Sequence, residues 1–128
     1  MADTEKITIN LSVVDLGRID LLVEQGFYST RTDFIRTSIR NQLDTHTQTI
    51  EETVSRLTAA MGVIIISADG LRRRLEKNEQ IDIRALGMLV IEKDVTPELA
   101  QATIKSVKVY GVFNASDEVK EALADRML

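Results

Sequence analysis

Apolar and polar residues alternate strictly through the stretch "KITINLS": Ile7, Ile9 and Leu11 against Lys6, Thr8 and Asn10. A period of two predicts a strand over residues 5–12 with one buried face. The next residues change period at once. Val14, Ile19, Leu22 and Val23 recur at helical spacing, with Leu16 and Leu21 beside them, and Ser12 or Asp15 is placed to cap the start. Gly26 in "EQGFYS" ends this helix, since glycine accepts the positive φ that follows a last turn. A second helix opens at "TRTD", where the Thr30 hydroxyl caps and Asp33 reaches back in a variant of the capping box. Its apolar stripe is Phe34, Ile35, Ile39 and Leu43. No hairpin partner follows the strand, so its backbone N–H and C=O groups need a partner from elsewhere.

Beyond Leu43 the apolar spacing persists through Ile50, Val54 and Leu57, which would extend the helix. The threonine-rich "DTHTQT" in its path is a weak helix former and serves equally well as a hinge. A repeat then begins. "GVIIISADGLRRRL", "GMLVIEKDVTPELAQA" and "GVFNASDEVKEAL" start at Gly62, Gly87 and Gly111, 25 and then 24 residues apart. Each glycine precedes a short apolar strand, an acidic turn (Asp69, Asp94, Asp117) and a helical segment, and "IDIRAL" and "IKSVKVY" are strand-like as well. Thr96 and Pro97 form a sound helix start. A period of this length predicts stacked strand–helix units with parallel strands and helical crossovers. The arrangement is loosely similar to a short leucine-rich-type solenoid, without the asparagine ladder of that class. The pattern places Val63, Leu89 and Val112 in the interior and shows little capping of the terminal strands, whose open ends then become contact sites. The fold class that follows is α+β overall: a strand–helix–helix unit, then a β/α repeat domain with a small parallel sheet.

Charge narrows the function. The net charge of the 128-residue chain is −4, which argues against indiscriminate binding of polyanions but leaves room for a small local face. Residues 1–46 hold five Lys or Arg (Lys6, Arg18, Arg31, Arg36, Arg40) against seven Asp or Glu. Arg36 and Arg40 read as a solvated or salt-bridged helix face. There is no cysteine, hence no disulfide and no thiol chemistry, and His46 is the single histidine. One histidine cannot build a transition-metal site, so no metal and no cofactor are expected. There is no nucleophile–base pair and no phosphate-binding glycine loop, and the expectation is that the chain is not an enzyme. "VIII" at residues 63–66 is the longest apolar run, far too short to cross a bilayer. With a polar start lacking a signal-peptide core, a cytoplasmic protein without membrane partners is expected.

"KITINLS", "GRIDLLVEQGFYSTRTDFIRTSIR" and the order between them resemble the ribbon–helix–helix family, the fold of the Arc and MetJ repressors. The resemblance implies an intertwined homodimer whose N-terminal strands pair as an intermolecular antiparallel β-ribbon. It implies a dimer core of Ile7, Ile9, Leu11, Phe34, Ile35 and Ile39. It places Lys6, Thr8 and Asn10 in the major groove of double-stranded DNA as base contacts, and it places Ser29, Thr30, Arg31 and Thr32, at the start of the second helix, on DNA phosphates. The expected domains are residues 1–45 for dimerisation and DNA binding, 46–57 as helical extension or linker, and 58–128 as a three-unit repeat domain for assembly or regulation. The expected function is a sequence-specific transcriptional regulator of the repressor type, acting as a homodimer or a higher oligomer. Two alternatives stand beside it: a structural protein that uses the ribbon for assembly into a filament or scaffold, and an antitoxin or plasmid-maintenance regulator.

Overall fold

The computed structural model describes residues 4–128. The chain forms two compact units, one of Lys6–Glu52 and a second of Thr53–Leu128 together with Thr4 and Glu5. The first unit contains α1 (Val13–Glu24) and α2 (Arg31–Asp44), preceded by residues 6–12; these residues, like Thr4 and Glu5, belong to no helix or sheet. The strand expected over residues 5–12 is therefore not a strand within this chain, for want of any ladder to pair with. Of the two candidate caps of α1 it is Ser12 that acts, its hydroxyl accepting from the Asp15 N–H at 3.1 Å. The helix closes with Gly26 at φ +85° and a bond from the Phe27 N–H to the Leu22 carbonyl. Ile19 is buried, Leu16, Leu22, Val23, Phe34 and Ile35 are half-buried, and Tyr28 meets Phe34 edge to face at 4.9 Å. Val14, Leu21, Ile39 and Leu43, on the apolar stripes of these helices, remain exposed.

The apolar stripe does not carry α2 through to residue 57. The helix stops at Asp44, and α3 (Thr47–Leu57) starts afresh. The cause is local: the Thr45 hydroxyl donates to the Gln42 carbonyl at 2.6 Å and the Thr47 hydroxyl to the Asp44 carbonyl at 2.9 Å, where short polar side chains compete with the helical ladder. Thr58 ends α3 at φ +52°, an unusual conformation for a β-branched residue.

The second unit alternates β1 (Ala60–Ile66), α4 (Ala68–Glu76), β2 (Ile81–Ile91), α5 (Pro97–Thr103), β3 (Ile104–Asn114) and α6 (Asp117–Ala122). The three strands form one parallel sheet in the order β1-β2-β3. Each strand is followed by a hydroxyl cap, at once after β1, after one residue beyond β3 and after four beyond β2. The Ser67, Thr96 and Ser116 hydroxyls accept from the Gly70, Leu99 and Val119 N–H groups, which starts each return helix. Asp69 and Asp117 lie in the first helical turns, not in separate turns, where they complement the helix dipole. The helices cover one face of the sheet. Leu71, Ala100, Val119 and Leu123 pack there on Ile83, Ala85, Leu89, Ile104 and Val107.

The repeat glycines do not open new strands. Gly62, Gly87 and Gly111 are paired neighbours inside continuous strands, with φ of +116°, +131° and +123°. A Cβ on Gly87 would run into the Gly62 carbonyl oxygen, and one on Gly111 into that of Gly87. Two sequence expectations change here. Leu89 is in the core, but Val63 and Val112 are not: they lie side by side with Met88 on the sheet face that the helices leave open. The second concerns the strand ends. The outer edge of β3 is capped along its first half, since Met127 bridges to Val107, the Leu128 N–H donates to the Val107 carbonyl at 2.9 Å, and Arg126 is bound to the Gln101 and Ile104 carbonyls. The edge of β1 has no such cover among the described residues.

Candidate nucleic-acid interface

Lys6, Thr8 and Asn10 lie on the extended segment before α1, and all three are exposed. So are the apolar residues between them: Ile7 is 74%, Ile9 60% and Leu11 41% accessible. Within the single chain neither side of this segment is covered. That is an unstable way to present three aliphatic side chains, each worth about 1.5–3 kcal/mol when fully buried.

Ser29, Thr30, Arg31 and Thr32 gather at the N-terminus of α2, and the structure gives them unequal tasks. The Thr30 hydroxyl caps the helix by accepting from the Asp33 N–H at 3.0 Å. Asp33 reaches past the cap residue to the one before it. Its Oδ2 accepts from the Ser29 N–H at 2.9 Å and from the Ser29 hydroxyl at 3.2 Å, and Oδ1 accepts from Thr37 at 3.5 Å. The backbone bond from Ser29, then the hydroxyl bonds, hold the Asp33 carboxyl below the usual carboxylate range. A firmly ionised carboxylate thus sits beside the end of the helix that would otherwise attract a phosphate. Arg31 is engaged as well. Its Nε and Nη2 donate to the two carboxylate oxygens of Asp20 on α1 at 2.7 and 2.8 Å, a bidentate pair bridging the two helices. The pair lowers the Asp20 carboxyl and raises the Arg31 guanidinium relative to their ordinary values. Thr32 keeps its N–H at a position where a helix leaves such donors unsatisfied. Sequence reasoning missed Asp20, because a contact between two helices across a turn leaves no periodic trace.

Among the described cations of this unit, Arg18 lies 3.9 Å from Asp15, while Lys6, Arg36 and Arg40 make no ion pair. Among the described residues no group of three or more His, Cys, Asp or Glu side chains converges as metal ligands would. No described helix is long and apolar enough to cross a membrane.

In the first unit an extended segment outside any sheet, a Ser-capped helix, a glycine turn and a Thr-capped helix follow one another in that order. The Ribbon-Helix-Helix transcriptional regulator family matches residues 2–120, nearly the whole chain, and the chain belongs to that family. The matched region includes all three strands of the parallel sheet and ends within α6. Neither the curated proteins nor the solved structures give a match to this chain.

Proposed function

We propose that this chain is a DNA-binding transcriptional regulator that works as a homodimer. Two copies of residues 5–12 pair as an antiparallel ribbon, and Lys6, Thr8 and Asn10 of each copy enter the major groove. The observation that carries this reading is the exposure of Ile7, Ile9 and Leu11 on an extended segment with no strand beside it. Burying six such side chains in a dimer contributes on the order of 10 kcal/mol before losses. Association alone costs about 4–15 kcal/mol, so the ribbon needs help from the helices. Phe34, Ile35 and Ile39, with exposed Leu21 and Leu43, supply it. In this reading residues 1–45 dimerise and read DNA, 46–57 connect, and 58–128 bring copies together; repression by occupancy of an operator and a cytoplasmic setting follow.

The chemistry of the ribbon is suited to base edges. Lysine donates to guanine O6 and N7, asparagine pairs with adenine N6 and N7, and threonine does either or touches a thymine methyl. Phosphate contact would come from the Thr32 N–H and hydroxyl, and from Arg31 if it exchanges Asp20 for a phosphate oxygen. The exchange is a specific obstacle. Together with the ionised Asp33 it favours a second reading, in which the ribbon serves dimerisation only and the protein is structural.

Retention of fragmented genomic DNA at two salt concentrations, with sequencing, separates these readings. Lys6→Ala and Asn10→Ala should lower specific retention while leaving stability within about 0.5 kcal/mol, as exposed positions do. Arg31→Ala should weaken retention evenly across sequences and flatten its salt dependence. Unchanged retention in all three variants rules out DNA reading by this face. Ile9→Asp should abolish dimerisation, because it sets a charge under the ribbon; a folded dimer of that variant in light scattering rules out the ribbon itself.

A further inference from the structure

The open face of the parallel sheet is apolar in three consecutive rows. Met61, Leu86 and Tyr110 are paired neighbours, then Val63, Met88 and Val112, then Ile65, Val90 and Asn114. Eight of these nine side chains are apolar or aromatic, and none is charged. Exposure is greatest on β1, where Met61 is 59% and Ile65 57% accessible; Leu86, Met88 and Val112 are half-buried and Val90 is buried. No helix of this unit packs on these rows, because α4, α5 and α6 share the opposite face. Thr4 and Glu5 border them beside Val63 and Met88. Sheets made only of parallel strands are almost always covered on both sides.

The polar side chains at the other end of the same face are already satisfied within the chain. Arg84 donates to the Ser106 hydroxyl at 3.0 Å, Ser106 donates to Asp82 at 2.5 Å, and Lys108 reaches the Leu128 carbonyl at 3.1 Å while lying over the Tyr110 ring. They form a rim that ends where the apolar rows begin, which is the anatomy of an interface patch.

We infer that this face packs against the same face of a second copy of this chain. Size decides the occupant. Three strands by six residues cover roughly 300 Å² at ordinary strand spacing. A free-standing complex needs about 800 Å² from each partner. The patch is too small to hold an independent protein, but it is sufficient for a surface already delivered at high local concentration. A partner tethered through the ribbon arrives at an effective concentration of about a millimolar; the inference rests on the ribbon reading in this respect. The nine side chains of the rows carry no charge and meet their own image without like-charge repulsion, the Glu5 carboxylate lying at their border. Met88, in the middle row of the middle strand, is at the centre of the patch, where a two-fold axis through that centre brings the two copies closest.

The chain has no cysteine, so Met88→Cys, Val63→Cys and Val112→Cys each introduce a single thiol. The full-length variants are treated with a short bismaleimide and read on a denaturing gel, with the mass in solution followed by light scattering. At least one of the three should give a covalent dimer, and Arg72→Cys, on helix α4 of the opposite face, should give none. Adding Ile9→Asp to a reactive variant should lower the linked fraction at least tenfold at the same concentration. A chain that is dimeric in solution yet unlinked at all three positions overturns the face contact and leaves the ribbon standing. A monomer in solution overturns the ribbon reading instead. Linking that survives Ile9→Asp undiminished overturns the tether.

Discussion

Replacing the three stacked glycines one at a time with alanine separates two sources of strain. All three have φ between +116° and +131°, a region essentially reserved for glycine, where a side chain costs about 1–3 kcal/mol. At Gly62 that is the whole cost, because nothing lies within 4 Å of the position a Cβ would take. At Gly87 and Gly111 the new methyl also meets the carbonyl oxygen of the preceding glycine in the ladder. That oxygen belongs to a paired backbone and cannot swing aside as a side chain can, so the strands must separate locally, adding about 1–3 kcal/mol as overpacking does. Gly62→Ala should therefore cost about 1–3 kcal/mol, and Gly87→Ala and Gly111→Ala about 2–6 kcal/mol. A domain of this size has about 4–11 kcal/mol in total. The assay is urea unfolding in a Tyr28→Phe background, which leaves Tyr110 on β3 as the single tyrosine and reports on the second unit. Midpoints should fall in the order wild type, Gly62→Ala, then the other two, with an unchanged slope. Equal losses at Gly62 and Gly111 refute the collision; losses under about 0.5 kcal/mol at all three refute the conformational argument too.

Two further outcomes follow from local geometry. Thr58→Gly relieves a left-handed conformation that costs a non-glycine residue about 1–2 kcal/mol, and should raise the melting temperature by a few degrees; a lower melting temperature contradicts that origin of strain. Asp20 and Asp33 both have carboxyls lowered from 3.8, so their contributions are present above that unfolded value and are lost as pH falls through the lower folded values. A melting-temperature profile from pH 5 downward should decline less steeply below pH 4 in Asp20→Asn, Asp33→Asn than in the parent, and identical profiles would remove these groups from the acid response.

Periodicity was legible wherever a single element decides its own structure. Ser12, Gly26 and Thr30 mark the limits of α1 and α2 because caps act on backbone groups three or four residues away. The glycine spacing foretold the strand–helix repeat and became a register, Gly62 to Gly87 to Gly111, in the folded sheet. Contacts between elements were illegible. The Asp20–Arg31 pair and the capping of β3 by Met127 and Leu128 depend on how helices and strands meet. At "DTHTQT" both a continuous helix and a hinge fitted the pattern, and the hydroxyls of Thr45 and Thr47 tipped it to a break.

The misplacement of Val63 and Val112 has a physical cause with consequences. "GVIII" and "GMLVI" are apolar at every position after the glycine, the signature of a strand covered on both faces. The chain supplies helices for one face, so Val63, which reads as interior, is exposed and Val112 only half-buried in a single copy. The N-terminal segment has the same imbalance in another form, an apolar side with neither ladder nor layer to cover it. In both units the sequence pattern describes a more buried environment than one chain provides. The two deficits differ in kind. An unpaired segment needs hydrogen bonds in a fixed register, which determines orientation, whereas an apolar face needs only contact area and accepts small shifts. A ribbon that fixes the pairing and a face that adds adhesion are therefore complementary, and Ile9→Asp and the cysteine variants address them separately. In such an assembly Lys6, Thr8 and Asn10 would be duplicated about a two-fold axis, and the base contacts proposed for them would come as two symmetry-related sets on a weakly charged surface.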